Sequence, residues 1–480
     1  MRQVARRRVS STTVATEEAP PLSRLPAPEA PVEAEAEPAA VAVPAPPPPP
    51  SLPTPPSSGI GTAPLAPGTP PALAAQVPFF RPDLQEDEIA AVAEVLRSGW
   101  LTSGPNTKLF EEEFAAAVKA RYAVALNSCT AALHLATVAL ELRPGQGVLI
   151  PTMTFAATAE VIRYAGAIPI LVDCDPATGH MDLGDAEAKI AELRQGRLLE
   201  PRIHPDTEVV GLIPVHTAGL MMNIVELEAF CRRHHLWMVE DAAHSFPSAW
   251  RRHAGDDWEW CGQDTSRVTC FSFYANKTIT TGEGGMATTD DEQLAATLRS
   301  LSLHGLSHDA WGRYSSQGAW DYRILAPGYK YNLTDSAAAL GRKQLARAEE
   351  MRLARERIAH RYLEAFADLE QVELPPDPPD RIHSWHLFQI RLVLEKLSID
   401  RDEFLQALRG RGIGFSVHWR PLHLHPYYQD TFGWRPHDLP RASETFRRTL
   451  TLPLFPSQRE DEIAAVIAAV RAICYLNKRG

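Results

Sequence analysis

Seven short runs constrain this chain more than any other feature: YAVAL, GVLIP, IPILVD, VVGLIPVH, LWMVED, VTCFSFY and GGMATT, spread over residues 122–289. Each is nearly continuous in apolar residues, and helical text separates most of them, as in TAALHLATVALEL and VELEAFCRRHH. Strands buried on both faces and alternating with helices predict an α/β domain with a mostly parallel sheet. In such a sheet ligands gather at the carboxyl ends of the strands. The polar residues just past those ends are therefore the first candidates for chemistry. They are Asn127 to Thr130, Thr154 and Phe155, His216, Asp241 and His244, and Lys277.

The parallel-sheet pattern places a large α/β domain at 77–345. Two amphipathic helices open it; the first, DLQEDEIAAVAEVLRSG, puts Ile89, Val92, Val95 and Leu96 on one face. Residues 335–370 read as one long helix. The remainder, 346–480, reads as a smaller α+β domain built from WHLFQIRLVLE, IDRDEFLQALRGRG, IGFSVHWR and REDEIAAVIAAVRAICYL.

Residues 1–76 are different. They hold 19 of the 41 prolines and no Phe, Trp or Tyr. Such a stretch buries too little apolar surface to offset its ordering entropy and is expected to be disordered. Pro46 to Pro50 suit a polyproline II recognition segment as well as a solvated tether. Arg6 to Arg8 are not followed by the apolar core of a secretory signal. No run of eighteen apolar residues occurs, so no membrane span is expected. Six scattered cysteines without a CxxC pair suggest a reducing, cytoplasmic setting, with neither a disulfide framework nor a metal site. A net charge of −11 argues against a nucleic-acid partner.

Most lysines sit on solvated surfaces. Lys277, in SFYANKTITTGEGG, instead follows a strand and precedes glycines that allow close backbone approach. An amine in a partly desolvated crevice has a lowered pKa and gains nucleophilic character, which a Schiff-base lysine needs. Asp241 is either a helix N-cap or a buried carboxylate held for a cationic ring nitrogen. Both residues together suit pyridoxal phosphate chemistry. NSCTAALHL opens a helix after a strand, where free backbone N–H groups bind anions. Phe155 is either core or a cover for a flat ring.

In order along the chain, SGWLTSGPNTKLFEEEFA, NSCTAALHLA, PTMTFAAT, IPVHTAGL, VEDAAHSF, SFYANKTITTGEGGMATTD, GYKYNLTDSAAALG, SWHLFQIRL and GIGFSVHWRPLHLHPYY resemble the DegT/DnrJ/EryC1/StrS family of pyridoxal phosphate-dependent sugar aminotransferases. The resemblance runs over about residues 83–475 and implies the fold-type I aminotransferase fold. It implies that Lys277 binds the cofactor covalently and then carries the proton, and that Asp241 pairs with the ring nitrogen. Phe155 would cover one ring face, and His244 would lie near the phenolic oxygen. Thr130, Ala131 and Ser272 would hold the phosphate, and Asn332 would reach the phosphate of a neighbouring subunit in a homodimer. Trp100, His386 and His418 are candidates for the sugar pocket.

The implied reaction takes an amino group from L-glutamate to a nucleotide-linked keto sugar. LHGLSHDAW and GYKYNLTD look most like members acting on a UDP-linked 4-keto sugar. A dTDP-linked keto-6-deoxysugar, a cyclitol ketone, or a non-catalytic partner-binding protein keeping the fold are the alternatives. Two departures from the family pattern stand out. Cys129 occupies a position usually held by glycine, and the link SAWRRHAGDDWEWCGQDTSR is long.

Overall fold

The computed structural model describes residues 76–197, 203–307 and 323–479. Residues 1–75, expected to be disordered, and the end of LHGLSHDAW lie outside them. In chain order the strands are β1 (Tyr122–Leu126), β2 (Gly147–Pro151), β3 (Ile168–Val172), β4 (Val209–Leu212), β5 (Trp237–Asp241), β6 (Ala249–Trp250), β7 (Glu259–Trp260), β8 (Val268–Ser272), β9 (Gly285–Thr289), β10 (Val372–Glu373), β11 (Arg381–Ile382), β12 (Phe388–Leu392) and β13 (Thr449–Leu452).

The seven predicted runs form one sheet in the order β1-β9-β8-β5-β4-β2-β3. Neighbours β8, β5, β4, β2 and β3 pair in parallel, each reached through a crossover. β9 alone runs antiparallel, to both β1 and β8. The reason is local: a loop carrying Lys277 and the glycines, with no helix, joins β8 to β9, and such a link returns the chain antiparallel. Ser272 at the end of β8 and Leu126 at the end of β1 therefore both face Gly285 at the start of β9. Three strand termini meet at one edge.

Caps set the helix starts. Ser128 accepts the Ala131 N–H and opens the helix Cys129–Ala139. Asp400 and Glu403 form a reciprocal capping box at the start of Arg401–Arg409. The long helix expected over 335–370 is two helices, Asp335–Ala346 and Ala348–Phe366. They part at Arg347, whose guanidinium is pulled to Asp83 at 3.3 Å and Glu88 at 3.1 Å. No glycine or proline marks that break; a tertiary ion pair makes it.

The helix Glu86–Ser98 differs from its sequence pattern as well. Val95 is buried, but Ile89 and Leu96 are 55% and 57% exposed. The helix turns Glu88 and Val95 inward against the helix Asp335–Ala346, where Gln344 bonds the Glu88 carboxylate at 3.0 Å. Part of its apolar stripe is left uncovered by the described residues.

Two large apolar cores form among the described residues. The first lies under the seven-stranded sheet and also takes in Leu422, Phe432 and Trp434. The second gathers Tyr362, Trp385, Phe388, Leu450 and Val466 around the antiparallel sheet β10-β12-β13. Val77 belongs to this second core, because its backbone bonds Gly412 and Gly414 beside Ile413. The chain thus crosses between cores more than once, and no single cut near 345 separates them. The long link after Asp241 folds as β6 and β7, which β11 joins as a third strand.

Candidate active site

The sheet edge opens into a cavity of about 430 Å³. β5 supplies Asp241, the loop after β8 supplies Lys277, and the first turn of Cys129–Ala139 supplies Cys129 and Thr130. His386, from the segment before β12, and His418 with Trp419, from the stretch after Ile413, wall the other side.

Asp241 is buried. Its Oδ2 accepts from Thr158 Oγ1 at 2.8 Å and its Oδ1 from the Ala243 N–H at 3.2 Å. Thr158 is bonded in turn to Thr154 Oγ1 at 2.8 Å. Burial pushes the Asp241 carboxyl above its usual range, while the two donors and the nearby Lys277 pull it back. Among the described residues no cation forms an ion pair with it. Two hydrogen bonds leave acceptor capacity unused on a carboxylate that normally takes about four.

Lys277 is half-buried, and desolvation brings its amine down to about 8 from 10.5. Cys129 and Asp241 act against that shift and Arg355 adds to it. At pH 7 an amine at about 8 is neutral in roughly a tenth of molecules, against about three in ten thousand for an ordinary lysine. Its Nζ lies 3.3 Å from His386 Nε2.

His244 is neutral: burial, with the charge of Lys277, holds it well below the usual range. The Ala218 N–H donates to its Nδ1 at 3.2 Å, which assigns the imidazole hydrogen to Nε2. Trp419 stacks on the ring at 4.9 Å and 21°. His418 is held by Thr451 Oγ1 at 2.9 Å, and burial lowers it to about 4.

The anion end is built from backbone. The Cys129 and Thr130 N–H groups have no acceptor among the described residues, as expected for the first turn of a helix. β9 closes tightly over that turn. A Cβ on Gly285 would lie 2.4 Å from the Ser128 carbonyl carbon and 2.5 Å from the Cys129 nitrogen. Cys129 does not fill the space the usual glycine would leave, since its sulfur sits 3.5 Å from the Cys270 carbonyl. Ser272 also borders the cavity, with its Oγ accepting from the Tyr274 N–H at 3.3 Å.

Of the candidates from sequence, Lys277, Asp241, Thr130, Phe155, His244, Ser272, His386 and His418 all line this one cavity. Phe155 stands at its mouth, 62% exposed. Three candidates are placed elsewhere. The Ala131 N–H donates to Ser128 Oγ at 3.0 Å, its side chain is buried, and it is not among the residues lining the cavity. Asn332 bonds Ser103 Oγ at 2.8 Å and is reached by Lys330, outside its own cavity. Trp100 donates to the Ser103 carbonyl at 3.0 Å and lines a separate groove with Asn106 and Arg342. His216, at another strand end, is fully buried and bonded to Glu240 at 2.7 Å beneath the site.

Sequence reasoning passed over Thr158 and Trp419. Both lie inside runs quoted for other residues, Thr158 four positions after Thr154, which precedes the helix Ala157–Tyr164, and Trp419 beside His418. Nothing in the text marked Trp419.

The family profile described as DegT/DnrJ/EryC1/StrS aminotransferase family matches residues 82–471. The spore coat polysaccharide biosynthesis protein SpsC of Bacillus subtilis is 42% identical over 402 residues, covering 83% of this chain and 97% of its own length. An uncharacterized protein of Methanocaldococcus jannaschii is 41% identical over 402 residues, covering 84% and 98%. Among solved structures, a putative sugar aminotransferase of Streptococcus pneumoniae in its PLP form superposes with a TM-score of 0.72. It is 31% identical and covers 84% of this chain and 99% of its own.

Proposed function

The chain belongs to the DegT/DnrJ/EryC1/StrS aminotransferase family, and from that premise we propose that it moves the amino group of L-glutamate to a UDP-linked 4-keto sugar. Family membership makes it a sugar aminotransferase with pyridoxal phosphate as cofactor. The donor, the nucleotide and the keto position are the finer reading.

The donor set fits that cofactor. A buried carboxylate with spare acceptor capacity and no ion-pair partner among the described residues suits a protonated ring nitrogen. Two first-turn N–H groups without acceptors suit a phosphate. The Nε2–H of a neutral His244 suits a phenolic oxygen. When bound, pyridoxal phosphate supplies an aldehyde carbon that captures amines and a ring that takes up the electron pair of a broken C–H bond.

The chain's own residues do the rest. Lys277, whose neutral fraction burial raises, would hold the cofactor and, once freed, would take the donor's α-proton on Nζ and pass it on. Asp241 keeps the ring nitrogen protonated, and Thr158 keeps Asp241 ionised. The observation that carries the reading is the meeting of Lys277, Asp241 and the anion end in one cavity.

A homodimer with shared sites is part of the proposal. Exposed Ile89, Leu96 and Leu101, with Asn332 turned from its own cavity, support a second copy on that side. The likeness of GYKYNLTD to members acting on UDP-linked 4-keto sugars supports the substrate. Six free, buried cysteines suit a cytoplasmic setting. No described helix is long and apolar enough to cross a membrane.

Incubation with L-glutamate and UDP- or dTDP-linked 4-keto sugars, read by mass spectrometry, tests this. One amino sugar per 2-oxoglutarate with the UDP sugar supports the reading. Turnover with the dTDP sugar alone overturns the nucleotide assignment, and no 2-oxoglutarate overturns the donor.

A further inference from the structure

His386 carries an oddity that sugar binding does not account for. The residue is 4% exposed, and its Nδ1 is buried with no hydrogen-bond partner among the described residues. A buried polar atom left unpaired in a native fold marks a constraint imposed from elsewhere. Its other nitrogen, Nε2, is the one placed 3.3 Å from Lys277 Nζ.

The backbone under His386 is held firmly. Arg355 Nη1 donates to the carbonyls of His386 at 3.3 Å and Leu454 at 2.8 Å. Arg355 is itself buried and has no carboxylate in an ion pair with it among the described residues, so its hydrogen bonds go to these carbonyls. Ser384 Oγ ties the same segment to the His244 carbonyl at 2.6 Å, and the His244 ring lies 4.3 Å from the His386 ring. The backbone of this segment cannot move away from the lysine without breaking these ties.

We propose that His386 is a catalytic residue that orients the Lys277 amine, accepting one Nζ–H at Nε2 so that the nitrogen lone pair faces the reacting carbon. A neutral amine has two N–H groups and one lone pair. An acceptor beside it leaves the lone pair free, whereas a donor there would occupy it. In the step concerned, the C–H bond at the donor's α-carbon breaks and its electron pair leaves toward the cofactor. The proton becomes the third N–H on Lys277 Nζ, and the His386 bond strengthens because its donor is now charged. The hydrogen on Nδ1 stays unpartnered throughout, which is the cost of presenting an acceptor to the lysine.

The groups that face Lys277 from the surrounding elements are Asp241, Cys129, His244, His386, His418 and Arg355. Burial, followed by the charge of Lys277, keeps His386 well below the usual imidazole range, so it stays an acceptor and does not compete for the proton.

This inference rests on L-glutamate as donor, and its test separates the two. His386→Phe and His386→Gln are compared with wild type in the half-reaction with L-glutamate alone, using protonated and α-deuterated donor. In parallel, the cofactor-free proteins are labelled with acetic anhydride across pH, and the Lys277 peptide is read by mass spectrometry. Phe is expected to slow the half-reaction roughly 10- to 100-fold and to raise the isotope effect, with Gln restoring most of the rate. In the cofactor-free protein Phe should move the midpoint of Lys277 labelling down by about one pH unit, and Gln should bring it back. An unchanged half-reaction with a raised KM for the keto sugar overturns the proposal in favour of a sugar contact. Equal slowing in both variants with an unmoved labelling midpoint overturns it in favour of packing. A wild type inert to L-glutamate refutes the donor assignment, while the labelling still decides the role of His386.

Discussion

Thr158→Val removes one hydrogen bond from the least visible part of the site. The threonine donates to Asp241 Oδ2 at 2.8 Å inside a buried pocket, and valine keeps its shape without the donor. A hydrogen bond to a charged group is worth about 1.5–3 kcal/mol. At about 1.4 kcal/mol per pKa unit, losing it raises the Asp241 carboxyl by roughly one to two units. That carboxyl is already above its usual range through burial. The donor stabilises the ionised form, so without it protonation, and loss of function, begins at higher pH. The assay is single-turnover bleaching of the cofactor absorbance by L-glutamate between pH 5.5 and 9. The acid limb should move up by about one to two pH units, and Thr158→Ser should bring it back. A well-folded Thr158→Val protein with the wild-type acid limb would refute the claim that this hydroxyl keeps Asp241 ionised.

Three further outcomes follow from the same geometry. Asp241→Asn should lower cofactor affinity and abolish the half-reaction, yet raise the Tm of the cofactor-free protein near neutral pH. The folded-state pKa of Asp241 is raised, so its contribution to stability is lost as pH rises through that value, and the amide avoids the loss; equal melting temperatures at pH 7 would contradict this. Capture of added pyridoxal phosphate by the cofactor-free protein should accelerate about tenfold per pH unit and level off near pH 8, where Lys277 becomes neutral; stopped-flow absorbance reads it, and a rate still climbing at pH 10 would contradict it. Gly285→Ala puts a Cβ 2.4 Å from the Ser128 carbonyl carbon. It should cost about 1–3 kcal/mol in denaturant unfolding and weaken phosphate binding at the adjacent turn.

Much of this site was legible because its chemistry hangs on the sheet. Buried parallel strands write themselves as apolar runs, and the residue after each run is fixed in space by the strand before it. Lys277, Asp241 and Thr130 could be read in that way. What escaped depended on contacts between distant segments. The break at Arg347 comes from Asp83 and Glu88, which lie more than 250 positions earlier. The Ser128 cap that the Ala131 N–H completes is one that NSCTAA allows but does not require. Trp100 points into a groove defined by Asn106 and Arg342, and a helical pattern says nothing about which groove a tryptophan fills. Ile89 and Leu96 had the right period for a buried face. Periodicity reports that a face seeks cover, not whether the cover belongs to the same chain.

Lys277 and Asp241 are proposed to form one pyridoxal phosphate-dependent transamination site. The visible absorption spectrum of the purified protein, before and after L-glutamate, tests it most directly when run beside Lys277→Ala. The wild type should be yellow and lose that colour with glutamate while releasing 2-oxoglutarate, and the Lys277→Ala protein should bind the cofactor without completing the exchange. A wild-type protein that takes up no pyridoxal phosphate when supplied with it, or a Lys277→Ala protein that turns over normally, would contradict the account.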